Sequence, residues 1–264
     1  MKQESIENAR GDVQSQLDGV VNLSAVLLVG GMGTRLKSVV PSTPKPLARV
    51  GDRSFLELLV RQLRSNGLRN LVMCTGYLAD QIEEEFGDGH DWNVSIQYSK
   101  ETSALGTAGA LKLAESVLTP ASELMVMNGD SFLELDFVQF LRFHRAHGGL
   151  VSIAVRKVNN AMRYGTVKTG ADYRITGFAE KALSQAPGLV NGGIYLFKRE
   201  VLSRIPEGPG SLEKDVFPRL LTDGMYAFEQ HGMFIDIGTP EDYVRAQELC
   251  EKLYRAAVPA NQPR

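Results

Sequence analysis

A chain of 264 residues with 43% hydrophobic content is long enough to bury one large core. Its 29 basic and 31 acidic side chains leave a net charge of −2, so neither nucleic acid nor an anionic membrane is an expected partner. The 2 cysteines, Cys74 and Cys250, make no disulfide framework and read as small buried hydrophobes in a reducing compartment.

The segment Met1 to Asn22 is polar, with acidic side chains and no apolar period. It reads as a flexible extension, not as a signal peptide. No apolar run reaches the roughly 18 residues that a membrane span needs, so a cytoplasmic location is expected. Ala25-Val26-Leu27-Leu28-Val29, ended by Gly30-Gly31, predicts a strand buried on both faces of a parallel sheet. A helix is predicted from about Phe55 to Asn66, with a Ser54/Glu57 capping box and Gly67 at its end. Then follow a strand at Leu71 to Thr75, a helix near Leu78 to Phe86, a strand at Val94 to Tyr98 and a helix from about Thr107 to Val117. The strand Leu124 to Met127 runs into Asn128-Gly129-Asp130, and Asp136 caps a helix through Phe143. Such alternation favours right-handed βαβ units, with ligands at the carboxyl ends of the strands.

The second half reads differently. Val151 to Val155, Gly165 to Thr169, Arg174 to Ala179 and Val190 to Phe197 predict strands with short turns, an antiparallel or mixed extension forming the other wall of a crevice. A last helix starts at Thr239 as N-cap with Pro240 at its first position, and the tail from Pro259 to Arg264 reads as loose. There is no internal repeat and no hexapeptide array after residue 240.

The stretch Gly30-Gly31-Met32-Gly33-Thr34-Arg35 is the most informative. Glycines after a buried strand let backbone N–H groups approach a phosphate, and Arg35 adds a bidentate donor. Leu36 stands where a dinucleotide fingerprint needs a small residue, and Lys37-Ser38 lacks the glycine of a Walker A loop. In Pro44-Lys45-Pro46 two prolines fix the backbone around one lysine, which suits charge developing on a pentavalent phosphorus. Asp130 follows a strand end and suits a hard cation; Asp236 follows the apolar run Met233 to Ile235 and could face it across the crevice, though no sequence signal brings the two together. His144 and His147 lie three apart but lack a third ligand, so a metal site there is set aside.

Gly30 to Arg35 together with Pro44-Lys45-Pro46 resembles the signature of the sugar-1-phosphate nucleotidyltransferases. The resemblance runs from Ala25 to about Leu253. It includes Leu105-Gly106-Thr107-Ala108-Gly109, Asn128-Gly129-Asp130, Glu180-Lys181, Asn191-Gly192-Gly193-Ile194-Tyr195 and Asp236-Ile237-Gly238-Thr239-Pro240. It implies an α/β, Rossmann-like, mostly parallel sheet flanked by helices with a β-rich sugar-binding extension. One domain is expected over 23–258, with a nucleotide-binding part at about 23–148 and a sugar-binding part at about 149–258. It implies a nucleoside triphosphate and a sugar 1-phosphate as substrates, with Mg²⁺ as the metal, which Mn²⁺ can replace, on Asp130 and Asp236. Arg35 and Lys45 would be catalytic. Gly30, Gly31, Gly33, Thr34, Glu101, Gly106, Thr107 and Gly129 would bind the nucleotide, and Gly165, Glu180, Lys181, Asn191 and Tyr195 the sugar phosphate. A homo-oligomer is compatible with this reading.

Three runs resemble the branch that makes GDP-D-glycero-D-manno-heptose: Ser103 to Leu111, Ser211 to Pro218 and Phe234 to Gly238. They imply GTP and D-glycero-α-D-manno-heptose 1-phosphate. The alternatives are a CTP- or UTP-dependent glucose or mannose 1-phosphate enzyme, a non-catalytic regulatory homologue that binds sugar nucleotides, and a glycosyltransferase. The last would want an Asp-x-Asp motif, which Asn128-Gly129-Asp130-Ser131 does not supply.

Overall fold

The structure, a computed structural model, describes residues 20, 22–162, 164–179 and 185–258. Apart from Val20 and Asn22, the expected N-terminal extension lies outside the described residues, as does the tail from Pro259.

Strand β1 (Ser24–Leu28) forms where the apolar run predicted it. Ala25 and Leu27 join the core on one face of the sheet and Val26 the core on the other, as the two-residue period of a strand requires. After β1 the glycine loop enters turns over 34–39 rather than a helix, closed by Leu36 N–H donating to Gly33 O at 2.9 Å. A 3₁₀ turn over Lys45–Leu47 leads to the hairpin β2 (Arg49–Val50) and β3 (Arg53–Ser54). In helix α1 (Phe55–Ser65) the Ser54 hydroxyl accepts from Glu57 N at 3.2 Å. Only that half of the expected capping box forms, because Arg61 one turn on draws the Glu57 carboxylate to 2.7 Å.

The chain continues through β4 (Asn70–Thr75), α2 (Ala79–Phe86), β5 (Ser95–Lys100), α3 (Gly106–Ala114) and β6 (Glu123–Asn128). A short β7 (Ser131–Leu133) precedes α4 (Phe137–His147), capped by Asp136 accepting from Gln139 N at 2.9 Å. Next come β8 (Val151–Val158), β9 (Thr166–Thr169), β10 (Ile175–Ala179) and the long β11 (Gly188–Lys198). A π-helical turn over Leu212–Val216 leads to α5 (Phe217–Leu220) and β12 (Met225–Gln230). Finally β13 (Phe234–Asp236) is followed by α6 (Pro240–Glu248), capped by Thr239 as expected, and α7 (Cys250–Ala257).

Both halves build one nine-stranded sheet in the order β10-β9-β11-β6-β1-β4-β5, with β8 beside β11 and β12 beside β8. Strands β5, β4, β1 and β6 are parallel, and β11 turns antiparallel against β6 and β8. This is the expected α/β, mostly parallel sheet flanked by helices. The β-rich extension is continuous with it, because Ile194 to Lys198 hydrogen-bond along β6. The hairpin β2–β3 and the long-range antiparallel ladder β7–β13 form two small separate sheets, and β12 is an edge strand of the main sheet; of these only β13 was foreshadowed in the sequence. Helices cover both faces, and the carboxyl ends of β1, β4 and β6 open into one crevice.

His144 and His147 do not converge on a metal. His144 is fully buried with Nδ1 on the Ser152 hydroxyl at 2.8 Å, and His147 Nδ1 bonds Phe143 O one turn back. Burial lowers the His144 imidazole to about 4. The unfolded chain therefore takes up that proton first, and stability is lost as pH falls from about 6.5 to about 4, below which both states carry it. Urea unfolding of the protein and of His144→Gln checks this. The stability of the wild type relative to the variant should fall by on the order of 3 kcal/mol from pH 7 to pH 4. A difference that stays flat over that range contradicts a neutral buried imidazole.

Candidate active site

The glycine loop and the lysine are fitted to each other. Gly33 has φ of +56°, and a Cβ there would stand 2.8 Å from Lys45 Cβ. Glycine thus allows both the left-handed turn and the passage of the lysine stem beneath the loop. Pro44 and Pro46 fix the backbone on either side of Lys45, which starts the 3₁₀ turn. Its ammonium is then directed inward: the side chain is only 11% exposed.

Two carboxylates receive it. Lys45 Nζ donates to Asp130 Oδ2 at 2.6 Å and lies 3.9 Å from Asp236 Oδ1. The short β7–β13 pairing brings the aspartates together: Asp236 stands opposite Ser131, and Ile237 N–H donates to Asp130 O at 2.9 Å. Asp236 also accepts from Gly238 N–H at 2.6 Å. Burial, and next the charge of Asp130, push the Asp236 carboxyl up to about 6, against the opposing pull of Lys45. Like charges this close favour a cation between them.

Three adjoining cavities meet here, and Asp130 lines all three. The smallest, about 200 Å³, is walled by Gly31, Gly33, Thr34, Arg35, Lys45 and Gly238 among others. A second, about 480 Å³, lies over the ends of β1 and β4 and is lined by Gly30, Gly31, Glu101, Gly106 and Thr107. A third, about 710 Å³, lies on the side of β11 and is lined by Arg35, Lys45, Gly165, Asn191 and Asp236. The glycine loop thus separates a nucleoside-sized cavity from a second polar one. Among the described residues the Arg35 guanidinium, exposed at the junction, makes no ion pair.

Glu101 lines the second cavity, but Oε2 is spent on Leu105 N–H at 3.0 Å, and burial raises its carboxyl above the ordinary range. Oε1 lies against the Gly30 and Gly76 backbone. Thr107 lines the same cavity while its hydroxyl accepts from Leu212 N–H at 2.8 Å.

Two expected site residues are corrected. Gly129 lines none of the cavities: its N–H is taken by Leu28 O at 3.0 Å, and a Cβ would strike Val29 and Leu28. Its role is close packing of two strand ends, which leaves no donor for a phosphate. Tyr195 is fully buried beneath the third cavity, its hydroxyl held by Asn191 and Glu213. It points the same way as Asn191, as expected, but Asn191 alone reaches the cavity wall. Glu180 and Lys181 lie outside the described residues.

The sequence reading missed several wall residues. Tyr77 and Met32 line the second cavity, Met162, Tyr164, Thr239 and Asp242 the third, and Asn128 both. Asn128 and Thr239 stand inside motifs singled out above. The aromatic Tyr77 directly after Gly76, at the end of β4, was the available signal for another.

A family model described as nucleotidyl transferase matches residues 24–252. The chain is 38% identical over 223 residues to the mannose-1-phosphate guanylyltransferase catalytic subunit beta of Drosophila pseudoobscura pseudoobscura, covering 83% of this chain and 60% of that protein. It is 36% identical over 227 residues to the mannose-1-phosphate guanylyltransferase of Mycobacterium tuberculosis, covering 84% and 63%. The chain therefore spans about six tenths of the length of these curated relatives. The crystal structure of HddC from Yersinia pseudotuberculosis complexed with GMP-PN is similar at a TM-score of 0.77 and 33% identity, over 86% of this chain and 98% of that one. The match embraces the glycine loop, the lysine and both aspartates, so this chain belongs to the nucleotidyl transferase family.

Proposed function

We propose that this chain transfers a guanylyl group from GTP to a manno-configured sugar 1-phosphate and releases pyrophosphate. One observation carries the reaction: the Lys45 ammonium sits between Asp130 and Asp236 where the phosphate-loop cavity meets two larger ones. The triphosphate lies on Gly30 to Arg35 with its nucleoside over Glu101 to Thr107. The sugar phosphate lies on the side of Gly165 and Asn191. An acceptor phosphate oxygen attacks the α-phosphorus in line, a new P–O bond forms, and the bond to the β-phosphate breaks. Lys45 and Arg35 hold the phosphate oxygens and neutralise the charge that builds on them.

Asp130 and Asp236 would hold Mg²⁺. The donor set fits, since two carboxylates plus substrate phosphate oxygens are the usual environment of that hard cation. Bound there, it would offset phosphate charge beyond what one ammonium can do. The base and the sugar rest on relatives. Those named above are mannose-1-phosphate guanylyltransferases, and HddC was crystallised with GMP-PN. The heptose acceptor implied by resemblance is the second reading. Of its three runs, Ser103 to Leu111 borders the nucleoside cavity, Ser211 to Pro218 borders none of the three cavities, and Phe234 to Gly238 reaches the sugar side only through Asp236 and Gly238. None of them lies along the rest of the sugar wall, so mannose 1-phosphate, named by the relatives, is the first acceptor to test. A purely regulatory homologue would have no use for the charge cluster.

Lys45→Ala should lower kcat by a factor on the order of 10²–10³, the cost of losing one charge-stabilising donor. Its melting temperature should fall as well, because Asp130 and Asp236 lose the ammonium between them, so kcat is compared at a temperature where the variant is still folded. Near-normal turnover would place the chemistry elsewhere. The substrates are tested by pyrophosphate release from GTP, CTP, UTP and ATP against mannose, glucose and D-glycero-α-D-manno-heptose 1-phosphates, with Mg²⁺ and with EDTA. GTP with a manno-configured acceptor should give the highest kcat/KM, and EDTA should abolish activity. A preference for CTP or UTP with glucose 1-phosphate by about tenfold, or full activity in EDTA, contradicts the proposal.

A further inference from the structure

The corner after β4 is built tightly around one aromatic ring. Gly76 follows the strand, and a Cβ there would stand 2.5 Å from Glu101 Oε1, so the chain passes hard against the end of β5. Tyr77 N–H donates to Gly30 O at 3.3 Å, which ties this corner to the start of the glycine loop. Leu78 then takes φ of +55°, a left-handed conformation that a leucine adopts only under constraint. Ala79 begins α2 directly after it. One strained residue thus turns the chain from strand to helix and leaves the Tyr77 ring in the wall of the second cavity, with Met32 of the glycine loop.

The ring is held from outside that cavity. Lys37 Nζ stands over it, 4.5 Å from the centroid, well within the roughly 6 Å at which a cation is attracted to an aromatic face. Lys37 lies in the turns over 34–39 that follow the glycine loop, and it forms no part of the wall of any of the three cavities. The ammonium therefore backs the ring and leaves the space in front of it open. The corner is pinned to the loop twice, by its backbone at Gly30 and by its ring at Lys37. An aromatic side chain has few rotamers to begin with, and these ties leave it little freedom to lose when a ligand arrives.

We infer that Tyr77 is the stacking platform for the nucleobase and that Lys37 is its positioning residue. This deepens the proposed nucleotidyl transfer and rests on it. Polar groups around the second cavity can meet the edge of a base but cannot cover its face. Among the described residues of that wall Tyr77 alone is aromatic, and a planar base buries its face well against such a ring. Stacking tolerates any base, because each has a π-face. The ring thus contributes affinity for the nucleoside, while the choice of base falls to groups at its edge.

The test combines kinetics with an equilibrium probe. The KM for GTP and that for mannose 1-phosphate are measured for the wild type, Tyr77→Ala, Tyr77→Phe, Lys37→Met and the Lys37→Met/Tyr77→Ala double variant. Wild-type pyrophosphate release establishes the reaction separately, so failure of the platform and failure of the reaction are distinguishable. Tyr77→Ala should raise the KM for GTP about tenfold and leave that for mannose 1-phosphate within about twofold. Tyr77→Phe should restore the KM for GTP, since the ring face and not the hydroxyl stacks. Lys37→Met should raise it about threefold where Tyr77 is present and not where alanine replaces it. In Tyr77→Trp, the emission beyond that of Trp92, the single tryptophan of the wild type, should be quenched by GTP and not by inorganic tripolyphosphate. The inference is overturned if Tyr77→Ala leaves the KM for GTP unchanged or raises both constants equally, or if Tyr77→Phe is as impaired as Tyr77→Ala. It is overturned as well if Lys37→Met has the same effect in both backgrounds, which would put the ammonium on the phosphates, or if tripolyphosphate reproduces the quenching.

Discussion

The contact between the Lys45 ammonium and the Asp130 carboxylate, at 2.6 Å with Asp236 beyond it at 3.9 Å, organises the rest of the site. Burial first, and then the neighbouring Asp130 charge, raise the Asp236 carboxyl, and the ammonium opposes both. The fold brings the three groups together from three directions. The glycine loop after β1 leaves room for the lysine stem, the end of β6 delivers Asp130, and the small β7–β13 ladder delivers Asp236. The ladder is short, yet a shift of one residue in its register would turn Asp236 to the opposite face.

Catalysis of phosphoryl-type transfer asks little covalent chemistry of the protein and much positioning. The cavities fit that demand. The glycine loop, Arg35 and Lys45 line the small cavity, while the bulk of the two larger cavities lies to either side. The polar network behind them, centred on Tyr195, fixes the Asn191 amide in the wall of the third cavity. Its orientation is set before a substrate arrives, which lowers the ordering cost of binding.

Much of this was legible in the sequence because the signals were local. The run Ala25 to Val29 ending in glycines pointed to a buried strand followed by a tight loop, and the two prolines announced a fixed lysine. Asp130 and Asp236 could each be placed at a strand end, but their meeting depends on a three-residue ladder that no periodicity reveals. Tyr195 was misplaced for a different reason. Its spacing from Asn191 does put both on one face, but the ring is fully buried among Ile153, Val155, Phe197 and Phe217 of the core, and its hydroxyl is bonded to Asn191 and Glu213. Gly129 was taken for a nucleotide-binding residue within the Asn128-Gly129-Asp130 match, whereas its N–H donates to Leu28 O. Glu213 was visible only as part of a resembling run, since its carboxylate acquires its meaning from the hydroxyls of Tyr195, Ser211 and Thr107 that fold onto it.

The central claim is that nucleotidyl transfer at this cluster is a direct displacement, eased by positioning and charge without a covalent enzyme intermediate. The stereochemical course with a chiral α-phosphorothioate of GTP tests it most directly. A single in-line displacement predicts inversion at the α-phosphorus in the sugar nucleotide formed. Retention would mean two displacements through a nucleotidyl-enzyme, and would contradict the account.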